Sequence, residues 1–105
     1  MTDKRIVLTT CSSVEEARTI AHALVDRRLA ACVNIIPGVE SIYRWKGEVE
    51  RATEYLLVIK TAASAFASLR DALGALHSYE VPECIEIAVN DGNAAYLDWI
   101  QKSVE

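Results

Sequence analysis

Residues 5 to 11, Arg-Ile-Val-Leu-Thr-Thr-Cys, gather β-branched and apolar side chains into one short run closed by the polar pair Ser12-Ser13, the pattern of a buried first strand. Ser13 with Glu16 three positions on forms a capping box, in which a hydroxyl and a carboxylate satisfy N–H groups that a helix start leaves unpaired. A helix is therefore expected from Val14. Its apolar positions Ala17, Ile20, Ala21 and Leu24 recur at helical spacing to about Arg28, while Glu15, Arg18, Asp26 and Arg27 mark the opposite face.

Residues 31 to 46 lose the helical period, and from Val39 they alternate through Ser41, Tyr43 and Trp45 as a strand does. Pro37-Gly38 predicts a bulge or bend within this strand. Lys46-Gly47 is a tight-turn signal, and Val49 to Lys60 supplies the returning strand of a hairpin. Phe66, Leu69, Leu73 and Leu76 mark a second amphipathic helix. Val81 to Val89 alternates as a last strand, and Tyr96, Trp99 and Ile100 suggest a short closing helix after the turn at Asp91-Gly92-Asn93.

The order βαββαβ with a terminal helix predicts a single α+β domain over residues 1–105. Its expected arrangement is ferredoxin-like, an antiparallel sheet with two helices on one face. Extended throughout, residues 31 to 46 would span about 50 Å at roughly 3.3 Å per residue. A globule of this size is only about 34 Å across. The long β2-β3 hairpin should therefore project, carrying Ile42, Tyr43, Trp45, Tyr55 and Leu57. Uncovered apolar surface and free strand edges invite a second copy of the chain.

Composition narrows the partners. Fifteen acidic against eleven basic residues leave a net charge of −4, and the bases are scattered, which argues against nucleic acid. The apolar stretch Ile6-Val7-Leu8 is too brief for a signal peptide or a membrane span. Cys11, Cys32 and Cys84 are odd in number and far apart, with no CxxC spacing. Reduced thiols and a cytoplasmic location are the expectation, with no membrane partner.

Four segments then resemble the CutA family over nearly the whole chain. They are Thr9-Thr10-Cys11, Arg28-Leu29-Ala30-Ala31-Cys32-Val33-Asn34-Ile35-Ile36-Pro37-Gly38, Ser41-Ile42-Tyr43-Arg44-Trp45-Lys46-Gly47-Glu48-Val49-Glu50, and His77-Ser78-Tyr79-Glu80-Val81-Pro82-Glu83. The resemblance implies a homotrimer associated with divalent-metal tolerance, binding copper in some members through the end of the first strand and the His-x-Tyr region. The family commonly has proline where Ser12 and Ser78 stand here, and some members have a second histidine at the position of Leu76.

Cys11 and His77 are accordingly the candidate metal ligands, since thiolate and imidazole suit copper and zinc. A third ligand would come from Glu80, Glu83 or another subunit. Copper or another divalent cation is a possible guest, and no cofactor is required. His22 falls on the polar side of its helix and reads as solvated, whereas Cys32 reads as packed in the core or an interface. Tyr43, Trp45, Lys60, Tyr79 and Glu83 are candidates for a ligand or interface cleft, with Lys60 and Glu83 read first as an ion pair. Glu48, Glu50, Arg51 and Glu54 read as a solvated hairpin surface. The function expected is that of a metal-tolerance oligomer and not an enzyme. An alternative is a regulatory module resembling the trimeric P-II signalling proteins, holding a small ligand between subunits.

Overall fold

The computed structural model describes every residue from Met1 to Glu105. In chain order the elements are β1 (Lys4–Cys11), α1 (Val14–Asp26), β2 (Cys32–Trp45) and β3 (Glu48–Ala62), then α2 (Phe66–Leu76), β4 (Ile85–Ala88) and α3 (Ala94–Ser103). The four strands form one antiparallel sheet in the order β2-β3-β1-β4. This is the split βαβ arrangement of a ferredoxin-like α+β protein.

Alternation along the strands sorts the side chains between two faces. Val7, Leu57 and Ile59 point toward the helices and are fully buried against Ile20 and Leu24 of α1 and Leu69 and Leu73 of α2. Burying each such side chain contributes roughly 1.5–3 kcal/mol. The other face carries Ile6, Leu8, Leu56, Val58, Ile85 and Ile87, aligned across β3, β1 and β4 by the pairings Leu8↔Val58, Ile6↔Ile87 and Leu8↔Ile85. No helix lies over its middle, and Ile85 and Ile87 remain 51% and 44% exposed. Only its end is closed, where Lys4 is buried and donates to Gln101 of α3 at 2.9 Å.

α1 ends at Asp26, two residues before the expected Arg28. Arg28 adopts φ 58°, Leu29 N–H donates to Leu24 C=O at 2.9 Å, and Arg28 N–H donates to Val25 C=O at 3.1 Å. This is a Schellman closure, with arginine where glycine is usual. At the other end only half of the expected capping box forms: Ser13 Oγ accepts from Glu16 N–H at 3.2 Å, but the Glu16 side chain turns elsewhere.

The hairpin turn Lys46-Gly47 has positive φ at both residues, 50° and 84°, and joins the pair Trp45↔Glu48. This two-residue geometry matches the right-handed twist of its strands. The ladder is irregular between Ile36 and Val39, at the expected bulge. The arm makes the molecule elongated, 44 Å against 25 and 23 Å, with Ile42 and Val49 67% and 65% exposed at its distal part.

The last strand is shorter than expected. Residues 81–84 do not join the ladder, which ends at Leu8↔Ile85, and Pro82 within them has no N–H to donate. Instead residues 77–84 pass beside the base of the hairpin, and that path creates the candidate site.

Candidate functional site

Three elements converge at the C-terminal end of β1. Cys11, the last residue of the strand, is fully buried; Glu16 comes from the first turn of α1; His77 follows α2 and is 8% exposed. One ligating atom from each lies within 4.8 Å of the others. Cys11 Sγ is 3.9 Å from His77 Nε2, and Glu16 Oε1 is 4.0 Å from His77 Nδ1.

The hydrogen bonds fix the ring's proton. Tyr79 N–H can only donate, and it donates to His77 Nδ1 at 3.1 Å, so the ring proton sits on Nε2 and donates to Thr10 C=O at 2.8 Å. Glu16 accepts from Ser78 N–H at 2.9 Å. Its other oxygen, Oε1, is buried with no partner, as is Thr9 Oγ1, two residues before Cys11 on the same strand face. The cluster thus sets a buried carboxylate oxygen without a hydrogen-bond partner beside a thiol and an imidazole.

The local field is negative. Burial first, then the charges of Glu16 and Glu54, push the Cys11 thiol up to about 12. Tyr79 is also raised, by burial, by its hydrogen bond to Glu54 and by that carboxylate's charge. Its hydroxyl donates to Glu54 Oε2 at 2.5 Å, and its ring centre stands 4.6 Å from that of His77.

Beside this cluster a cavity of about 690 Å³ opens between the hairpin arm and residues 78–83. Tyr43, Trp45, Tyr79 and Glu83, proposed from the sequence as cleft residues, all line it. Lys60 does not. It points from β3 to the side-chain carbonyl of Asn34 on β2, so the expected Lys60–Glu83 ion pair does not form within the protomer. Glu54 also departs from expectation: instead of belonging to a solvated hairpin surface it is 6% exposed and bonded to Tyr79. Glu16 was read only as a cap, and Glu80 and Glu83 stood as the intramolecular candidates for a third ligand. The helical spacing from Ser13 placed Glu16 correctly in the first turn but could not show which backbone group its carboxylate would reach. His22 is exposed as expected, and all three cysteines are free thiols. Cys32 is half-buried on the sheet face opposite the helices, paired with Lys60, and Cys84 packs against the core.

The fold and this cluster define a small ferredoxin-like α+β protein with sulfur, nitrogen and carboxylate donors gathered at one strand end. Residues 5–103 match the family model described as CutA1 divalent ion tolerance protein, and the chain belongs to that family. It is 52% identical over 100 residues to the divalent-cation tolerance protein CutA of Thermus thermophilus, covering 95% of this chain and 97% of that one. It is 46% identical over 96 residues to human protein CutA, covering 91% of this chain and about half of the human one, 54%. The crystal structure of CutA from Xylella fastidiosa superposes with a TM-score of 0.97 at 39% identity, covering 99% of this chain and 100% of that one.

Proposed function

We propose that this chain is a non-catalytic, homotrimeric metal-tolerance protein of the cytoplasm that takes up copper or another thiophilic divalent cation at Cys11, Glu16 and His77. The observation that carries the proposal is the convergence of three donors within 4.8 Å around a buried, unpartnered carboxylate oxygen. The donor set fits: thiolate and imidazole select copper and zinc over magnesium or calcium, and the carboxylate offsets the cation's charge. A bound cation would lower the Cys11 pKa by favouring the thiolate.

Uptake has defined consequences for the protein's own protons. Cys11 must release its proton, so affinity rises with pH over the range below about 12, by up to about tenfold per pH unit. If His77 held the cation through Nε2, that nitrogen would give up its hydrogen bond to Thr10 C=O, its ring proton would have to reside on Nδ1, and Tyr79 N–H would lose its acceptor. Metal loading should therefore loosen the start of the 79–84 segment.

The raised thiol also supports a non-catalytic reading. A nucleophilic cysteine needs a depressed pKa, and here burial and two carboxylates act in the opposite direction. The homotrimer is supported by the uncovered apolar sheet face, with Ile85 and Ile87 exposed, and by the exposed Ile42, Tyr43, Trp45 and Val49 of the projecting hairpin. Three free cysteines suit a reducing compartment.

Calorimetric titration of Cu(I), Cu(II) and Zn(II) tests the metal reading. The wild type should bind at one saturable site per protomer, and the Cys11→Ser, His77→Ala double variant should lose it. Equal binding by the two proteins would overturn the assignment.

A further inference from the structure

Residues 78–84 run from the end of α2 to the start of β4 without a single backbone–backbone hydrogen bond. Three hydrogen bonds hold them, all at the first two residues: Ser78 N–H to Glu16 at 2.9 Å, Tyr79 N–H to His77 Nδ1 at 3.1 Å, and the Tyr79 hydroxyl to Glu54 Oε2 at 2.5 Å. The far end is anchored by Cys84, which packs against the core, and by Ile85 in the sheet. A segment with no ladder of its own opens at lower free energy than the elements around it.

This segment borders a sealed site. Cys11 is fully buried and the side chain of His77 has no exposed surface, so nothing reaches either without movement of a wall. Most walls are fixed: β1 is paired with β3 along its whole length to Cys11, and Glu16 stands in the capped first turn of α1. Residues 78–83 are the loosely held one. Within them Tyr79 makes two of the three fastenings, and its ring stands 4.6 Å from the imidazole. Its hydroxyl ties the segment to the buried carboxylate of Glu54 on β3, and a hydrogen bond to an ionised acceptor is stronger than one to a neutral group. Each of these partners belongs to the same protomer, so the fastenings stand whatever surface a neighbouring copy covers.

We propose that residues 78–83 are a strap that gates the Cys11, Glu16 and His77 donors, with the Tyr79–Glu54 hydrogen bond as its clasp. What the strap admits rests on the metal reading above; its opening does not, and is measured without metal.

The test uses the assembled, metal-free protein. Hydrogen exchange at the Ser78 and Tyr79 amides should be faster than at Leu57 of β3 and insensitive to low urea, as local opening requires. Alkylation of Cys11 by iodoacetamide at pH 9, read by peptide mass spectrometry, should share that insensitivity and be independent of protein concentration. Tyr79→Phe deletes the clasp and should speed both reactions roughly tenfold. A Glu54 carboxylate freed of its donor disfavours the thiolate, so faster alkylation reports access and not easier ionisation. Glu54→Gln keeps a neutral acceptor and should give a smaller increase; it carries the comparison should Tyr79→Phe fail to fold. Alkylation that rises with urea as steeply as global unfolding, that rises on dilution of the protein, or that is unchanged in folded Tyr79→Phe would each overturn the proposal. Because no metal enters, these outcomes are separate from the titration that tests the metal reading.

Discussion

The carboxylate of Glu16 accepts a 2.9 Å hydrogen bond from the backbone N–H of Ser78, joining the first turn of α1 to the segment after α2 across 62 positions of sequence. This contact holds His77 and Tyr79 in place beside Cys11. It also spends only one of the two carboxylate oxygens. Glu16→Gln preserves an acceptor for Ser78 and removes the charge, so stability should stay within about 1 kcal/mol of the wild type. Copper affinity should fall roughly tenfold, since a neutral amide offsets no cation charge. The Cys11 thiol should become easier to ionise, read as faster alkylation by iodoacetamide at pH 9. Unchanged affinity would remove Glu16 from the site.

Alkaline pH should destabilise the protein through Cys11. Its folded pKa, about 12, lies above the ordinary value of 9.0, so the folded state holds a proton that the unfolded chain releases first. The stability this contributes is complete below pH 9 and is lost as pH rises toward 12, at up to about 1.4 kcal/mol per pH unit. Tyr79, also raised, adds to the decline above its ordinary value of 10.0. Urea unfolding between pH 8 and 11 should show a shallower decline in Cys11→Ala than in the wild type. Identical slopes would contradict the assignment.

Arg28 closes α1 in a left-handed conformation, φ 58°, that costs an ordinary side chain about 1–2 kcal/mol relative to glycine. Arg28→Gly should raise stability by about 0.5–1 kcal/mol after glycine's greater chain entropy is allowed for. A shift of the urea midpoint to higher concentration at constant slope is the expected reading.

The two faces of the sheet should respond differently to substitution. Leu57→Ala removes a fully buried side chain under the helices and should cost about 2–5 kcal/mol. Ile85→Glu alters a half-exposed position on the uncovered face and should leave circular dichroism intact while lowering the mass seen by light scattering. A variant of unchanged mass would place the subunit contact elsewhere.

Periodicity made most of the fold legible. The alternation of β1, the helical spacing of α1 and α2, and the Lys46-Gly47 turn are local properties, and each formed at its expected place. The termini that shifted were decided by tertiary partners. β4 contracted from Val81–Val89 to Ile85–Ala88: its ladder with β1 ends at Leu8↔Ile85, and the alternation that runs on through Val81 carries no information about where pairing stops. At the site, Cys11 and His77 were readable from the family segments, and their 3.9 Å separation is a fact of the fold. Glu16 and Glu54 were not readable as site residues. Each sits where spacing predicts an ordinary surface acid, and each acquires its role from a group distant in sequence, Ser78 for one and Tyr79 for the other. Lys60 went the other way, drawn off by Asn34 across the β2-β3 ladder.

Native mass spectrometry coupled to light scattering, with and without copper, tests the central claim most directly. The account predicts a trimer in both conditions, carrying one copper per protomer in the wild type and none in the Cys11→Ser, His77→Ala variant. A monomer, or the same copper content in both proteins, would contradict it.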